Sequence, residues 1–240
     1  MNGMKVTRRQ FLAAGLGTSA LLLSGCGKPL AAGLTGGLPG APWPEAIARP
    51  DPSGRVYQPV ADRVFTDAML GQVIPRSRWA KAGPILKRIN PMNGISRITV
   101  HHEGAAGSPV YFSDMASTAQ RLEMIRNAHL ERMSAADIGY HYVIDRAGRL
   151  WEGRDLKYQG AHVKDRNEHN IGVMVLGNFD IQSPADAQLD TLRDTVRALR
   201  RRHQVSTSAI YTHQELGPTE CPGKALQPQM VQMRNRHAFA

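Results

Sequence analysis

The chain is poor in cysteine: two in 240 residues. One of them, Cys26, ends an N-terminal apolar run, so Cys221 is left as a lone thiol with no intramolecular disulfide partner. Aromatic residues make up only 6% of the chain. No basic stretch is interleaved with aromatics, and no Lys/Arg run is denser than Arg200-Arg201-Arg202, which reads as a solvated helix end. A nucleic-acid-binding protein is therefore the weakest of the functional classes considered. No internal repeat and no second linker occur, and this favours one domain. Acidic residues are fewer than basic ones, 20 against 30, for a net charge of +10. That balance suits an anionic partner such as a membrane surface or an acidic polymer. The hydrophobic content of 42% fits an ordinary globular core.

No acidic residue occurs in positions 1–25. Lys5, Arg8 and Arg9 precede an apolar stretch from Phe11 to Leu23, too short to span a bilayer comfortably. Thr7-Arg-Arg-Gln-Phe-Leu12 resembles a twin-arginine export signal, and Leu23-Ser-Gly-Cys26 resembles a bacterial lipobox. Residues 1–25 are therefore expected to be a cleaved lipoprotein signal and Cys26 the acylated first residue of the mature chain. Cleavage would remove three positive charges, leaving 10 − 3 = +7. Residues 26–60, rich in Gly, Pro and Ala, read as a tether, and 61–235 as the folded domain. The expected location is the cell envelope on the periplasmic side, anchored in a membrane by lipid. Lys28 supplies no acidic retention signal next to Gly27, which favours the outer membrane where there is one.

Within the domain, strands are expected at Ile95–His101, Gly139–Asp145 and Ile171–Leu176, with a short one at Ala209–Thr212. Ala147-Gly148 turns the second of these into a hairpin with Arg149–Glu152. A helix over Ser113–Met133 would turn Leu122, Ile125 and His129 inward and Arg121, Glu123 and Arg132 outward. A second begins with Ser183 as N-cap and Pro184 at N1, carrying the stripe Leu189, Leu192, Val196 and Leu199. Mixed strands and helices in this order give an α/β fold: a single domain with a central mixed sheet flanked by helices.

The residues that carry chemistry lie at the ends of these elements. His213 and Cys221 sit eight positions apart on a loop stiffened by Gly217-Pro218 and Pro222-Gly223. His101-His102 ends the first strand. Two imidazoles and a thiolate make a zinc site with one position left for water, as catalytic zinc sites have.

Eight stretches resemble the zinc amidases of the peptidoglycan recognition protein type and, more distantly, the phage lysozyme-type amidases. They are Val73-Ile-Pro-Arg-Ser-Arg-Trp79, Ile98-Thr-Val-His-His102, Asp137-Ile-Gly-Tyr-His-Tyr-Val-Ile144, Gly148-Arg-Leu-Trp-Glu-Gly-Arg154, Gly160-Ala-His162, Asn170-Ile-Gly-Val173, Leu176-Gly-Asn-Phe179 and Pro218-Thr-Glu-Cys-Pro-Gly223. The resemblance implies a peptidoglycan recognition protein-like fold and a Zn²⁺ cofactor held by His101, His213 and Cys221. The implied reaction is hydrolysis of the amide between N-acetylmuramic acid and L-alanine in peptidoglycan or muropeptides, by a monomer. Tyr140 takes the position of the catalytic tyrosine. Thr219 stands where the phage enzymes have a lysine and supplies a hydroxyl without the charge. His129, His162 and Asn167 match positions that touch the muramyl-peptide, and Arg154 matches the arginine that pairs with the extra carboxylate of meso-diaminopimelate. The proton carrier is left open among Tyr140 through water, Glu103, Glu215 and Glu220. The alternative to an enzyme is a peptidoglycan-binding module of the same fold without catalysis.

Overall fold

The computed structural model describes residues 70–104 and 108–240. The signal, Cys26, the tether and the first nine residues of the expected domain lie outside the described residues. The elements run β1 (Val73–Ile74), β2 (Arg97–His102), α1 (Met115–Arg132), β3 (Tyr142–Ile144), β4 (Leu150–Glu152), β5 (Asn170–Val175), α2 (Asp186–His203), β6 (Ile210–Thr212) and α3 (Leu226–Asn235). The sheet is six-stranded in the order β1-β4-β3-β5-β2-β6. It is mixed: β3 and β4 pair antiparallel and every other pair is parallel.

The strands at the centre are buried on both faces, which is why β5 reads as an unbroken apolar run from Ile171 to Val175. Ile98, Val100, Ile144, Val173 and Val175 pack with Leu192, Val196 and Leu199 of α2 and Leu226 and Met230 of α3. On the opposite face Val143, Trp151 and Met174 pack with Leu122 and Ile125 of α1. Each such side chain, fully buried, contributes about 1.5–3 kcal/mol. Because β2 alternates, Ile98 and Val100 join the α2 side while His101 emerges on the side of α1.

Several expectations need adjustment. The strand at 139–145 is shorter, and Tyr140 lies just ahead of β3. The backbone there bonds to three partners in turn, with His141 N–H donating to the Gly172 carbonyl, Ala161 N–H to that of Gly139 and Arg154 N–H to that of Tyr140. Helix α1 is capped by Asp114, whose carboxylate accepts from Ser117 N–H at 2.8 Å. Its Glu123 does not face outward. It is buried and pairs with Arg126, which also bonds Asp137, and Asp137 in turn receives Arg76. This chain of charges ties α1 to the segment around Arg76. Helix α2 starts two residues later than expected, with Ala185 as N-cap; Gln188 reaches back to accept the Ala185 N–H, and the Ser183 carbonyl takes Arg146 instead. The arginine triplet is not merely solvated, because Arg200 and Arg201 donate to the carbonyl oxygens of Phe239 and Ala240. Packing accordingly continues past residue 235, with Phe239 in the core and α3, which no sequence signal had marked, laid against the sheet.

The β3–β4 hairpin shows how one side chain sets a turn. Asp145 is fully buried. Its carboxylate accepts from the N–H groups of Ala147 and Arg149, from the Arg149 guanidinium and from Trp151 Nε1. Gly148 follows at φ +78, a conformation that glycine adopts without strain.

Candidate metal centre and active site

The ends of β2 and β6 lie side by side, since β2 pairs in parallel with β6. That pairing places His101 beside the loop that opens at His213. The loop folds back on itself: Gln214 N–H donates to the Cys221 carbonyl at 2.8 Å, while Leu216 N–H returns to His213. His213 and Cys221 are thereby neighbours although eight residues separate them in sequence. Gly223 sits at φ +90, where a Cβ would lie 2.8 Å from the His102 ring, so only glycine lets the loop close against β2.

The His101, His213 and Cys221 ligand atoms lie within 4.8 Å of one another, and all three residues are buried. Cys221 Sγ is 3.6 Å from His101 Nδ1. The rings of His101 and His213 are 4.7 Å apart. A nitrogen at ~2.1 Å and a sulfur at ~2.3 Å from one tetrahedral ion sit ~3.6 Å apart, so the spacing fits zinc. His213 Nδ1 is buried without a hydrogen-bond partner, an arrangement that a ligand would relieve. Cys221 Sγ also accepts the His102 N–H at 3.4 Å. The His102 ring points to the other face, where its Nδ1 accepts from Phe179 N–H.

Around this cluster the structure places the other expected residues as follows. Tyr140 is 2% exposed, and its ring centroid is 5.2 Å from that of His101. Thr219 is half-buried; its Oγ1 accepts the Cys221 N–H at 3.2 Å, which leaves the hydroxyl proton to donate elsewhere. His129 Nδ1 accepts the Gly139 N–H at 2.9 Å and holds the backbone that carries Tyr140. Asn167 Oδ1 accepts from the backbone N–H groups of His162 and Val163. His162 Nδ1 lies 3.0 Å from His101 Nε2. Arg154 differs from expectation. Its guanidinium is buried and donates to the carbonyl oxygens of Ile138, Gln159 and Asp137. The fork expected to meet a peptide carboxylate is already committed to main chain, and burial pulls its pKa down to about 10.

Of the glutamates considered as proton carriers, Glu215 is bound by Arg234, Gln227 and Thr212 N–H. Glu220 is exposed. Glu103 pairs with Arg121, keeps one buried carboxylate oxygen without a partner, and has its pKa raised by burial. One residue that the sequence reading passed over is His141. It is buried, accepts the Gly172 N–H and donates to the Tyr158 carbonyl, and burial drives its pKa down to about 4. A neutral His141 therefore acts as a fixed strut beneath Tyr140. The signal was present in the sequence as the one histidine between His129 and His162.

A family model described as N-acetylmuramoyl-L-alanine amidase matches residues 90–224. The chain is 32% identical over 171 residues to the N-acetylmuramoyl-L-alanine amidase of Sus scrofa, with 69% of this chain and 28% of that protein covered. It thus spans under a third of the porcine relative. Peptidoglycan-recognition protein SC2 of Drosophila melanogaster is 33% identical over 158 residues, 65% of this chain and 83% of that one. Among solved structures, Drosophila PGRP-LB superposes with a TM-score of 0.59 at 20% identity, covering 70% of this chain and 96% of that one. The endolysin LysCS from Clostridium intestinale gives 0.53 at 19%, covering 68% and 95%. The mixed sheet, the matched span of residues 90–224 and the relatives lead to one assignment: the chain belongs to the N-acetylmuramoyl-L-alanine amidase family.

Proposed function

We propose that this chain is a zinc-dependent amidase that hydrolyses the bond between N-acetylmuramic acid and L-alanine in peptidoglycan or its soluble fragments. The observation that carries the reading is the convergence of His101, His213 and Cys221, with Tyr140 and Thr219 beside them. A binding module has no need to keep a buried thiol and two imidazoles facing one point. Bound zinc supplies Lewis acidity, both to a water and to the substrate carbonyl. The protein's own groups do the rest. His101, His213 and Cys221 hold the ion, the Thr219 hydroxyl donates to charge developing on the carbonyl oxygen, and the Tyr140 phenol serves the same oxygen or the water. Relatives support the substrate class: peptidoglycan recognition protein LE was solved in complex with tracheal cytotoxin, a monomeric diaminopimelic acid-type peptidoglycan.

The test is mass analysis after incubation of zinc-loaded protein with intact sacculi and with soluble muropeptides. The expected products are a free stem peptide beginning with L-alanine and a sugar that retains its lactyl carboxylate. Binding with no change in substrate mass would establish the non-catalytic module instead. We place the protein in the cell envelope, exported and tethered by acylated Cys26, on the motifs of residues 1–26 alone. Palmitate labelling that is lost in Cys26→Ala is the expected result; labelling that persists would remove the anchor.

A further inference from the structure

The amidase reading gives His101 a metal to bind but does not explain how a two-nitrogen ring presents the correct nitrogen. A histidine ligates through a bare lone pair, and which nitrogen is bare depends on what the other one does. The surroundings of His101 settle this in two steps. His162 Nε2 lies 3.2 Å from the Asn170 carbonyl oxygen. A carbonyl only accepts, so that nitrogen carries a proton. With that proton on Nε2, a neutral His162 ring has Nδ1 bare. This bare nitrogen is 3.0 Å from His101 Nε2, which must then be the donor. His101 is left with its lone pair on Nδ1, the atom that lies 3.6 Å from Cys221 Sγ.

We infer that His162 is a positioning residue for the metal, which takes the Nε2 proton of His101 and so fixes the tautomer whose Nδ1 faces Cys221. The inference rests on the metal reading for its function, though not for its geometry.

The ring is also held where this role needs it. A Cβ on Gly160 would lie 2.3 Å from His162 Cδ2, and one on Gly172 would lie 2.6 Å from it. Two glycines from separate segments thus leave a slot that the His162 ring fills. Asn167 Oδ1 fixes the backbone of the loop through the N–H groups of His162 and Val163. The far anchor is equally rigid. Asn170 opens β5, accepts the Thr99 hydroxyl at 2.8 Å through Oδ1, and returns Nδ2 to the Arg166 carbonyl. The relay thus runs from the β5 backbone through His162 to His101, whose Nδ1 faces the Cys221 sulfur. Both nitrogens of His162 are used, so neither is left for a hydrogen bond to a substrate.

Two variants and one spectrum test this. His162→Phe keeps a ring in the slot but can accept no proton. His162→Asn puts a carbonyl oxygen where Nδ1 was and restores the acceptor. Outer-shell partners of metal-bound histidines contribute about 10–100-fold to metal affinity. Chelator competition should show His162→Phe binding zinc more weakly by a factor in that range, with His162→Asn recovering most of the loss. Wild-type affinity in His162→Phe would overturn the inference. The second measurement does not depend on the variants folding. In metal-free wild-type protein labelled with ¹⁵N-histidine, long-range ¹H–¹⁵N correlation should show His101 protonated at Nε2 and bare at Nδ1. The opposite tautomer would overturn the relay. If the wild-type protein takes up no zinc, the metal reading fails by itself, and the same spectrum still decides how His162 and His101 share their proton.

Discussion

Cys221→Ser should bind zinc at least about 100-fold more weakly than the natural chain and lose amidase activity in step, while keeping its fold. The estimate comes from sharing the ~10–16 kcal/mol that zinc brings to a four-ligand site among its ligands, or about 3 kcal/mol each. Serine is the closest replacement in size, yet its hydroxyl stays protonated where the thiol ionises. The Cys221 sulfur lies 3.6 Å from His101 Nδ1 and receives the His102 N–H at 3.4 Å, so it faces the point the imidazoles share. A serine oxygen can still accept that N–H, so no buried donor is stranded. The loop is held independently of the sulfur by Gln214 N–H on the Cys221 carbonyl and by the Thr219 hydroxyl on the Cys221 N–H. Metal-free stability should therefore change by less than about 1 kcal/mol, within the usual net value of one hydrogen bond. Chelator competition, circular dichroism and denaturant titration of the same sample separate these effects. Undiminished zinc affinity in the variant would remove Cys221 from the ligand set and the enzymatic reading with it.

The sequence made legible whatever depends on residue type and short spacing. The apolar run ending at His101, the hairpin around Gly148 and the loop between His213 and Cys221 all lie within a few residues of their own signals. So does the stripe of α2, in which Leu192, Val196 and Leu199 are all buried. The site needed β2 and β6 to be neighbours, which the strand order provides. Contacts between distant segments were another matter. Glu123 reads as an outward charge on helical spacing, but Arg126, Asp137 and Arg76 form an inward ionic chain that no local pattern records. Arg154 looked like a free guanidinium because sequence does not show the three carbonyl oxygens that surround it. The His101–His162 contact spans 61 residues. A glycine at 160 and another at 172 were the only local traces of it, and each has an ordinary reading as a turn or strand residue. Helix α2 started late for a similar reason: Gln188, inside the helix, supplied the cap that Ser183 was expected to provide.

Tyr140→Phe should lower kcat by about 10²–10³-fold, the usual cost of removing one donor to a developing oxyanion, with zinc affinity unchanged. The ring is fixed before any substrate arrives. His129 Nδ1 holds the Gly139 N–H, Arg154 N–H holds the Tyr140 carbonyl, and a Cβ at Gly139 would lie 2.3 Å from the Ala161 carbonyl oxygen. Phenylalanine fills the same slot beside His101 and keeps the packing on the α1 face. Substrate binding in the ground state should therefore survive, and the loss should appear in kcat and kcat/KM alike with KM nearly constant. That pattern distinguishes a phenol acting on the reacting atoms from one that only fills space. If Tyr140 were a packing residue, the variant would turn over normally. If it shaped the substrate groove, KM would rise while kcat held. The measurement is steady-state hydrolysis of a soluble muropeptide with zinc content assayed on the same preparation, so that a metal-poor sample is not mistaken for a slow one. A variant that binds its full complement of zinc and hydrolyses at the natural rate would leave the Thr219 hydroxyl as the remaining side-chain donor proposed for the oxyanion, because Arg154 is turned into the backbone and Glu215 is held by Arg234.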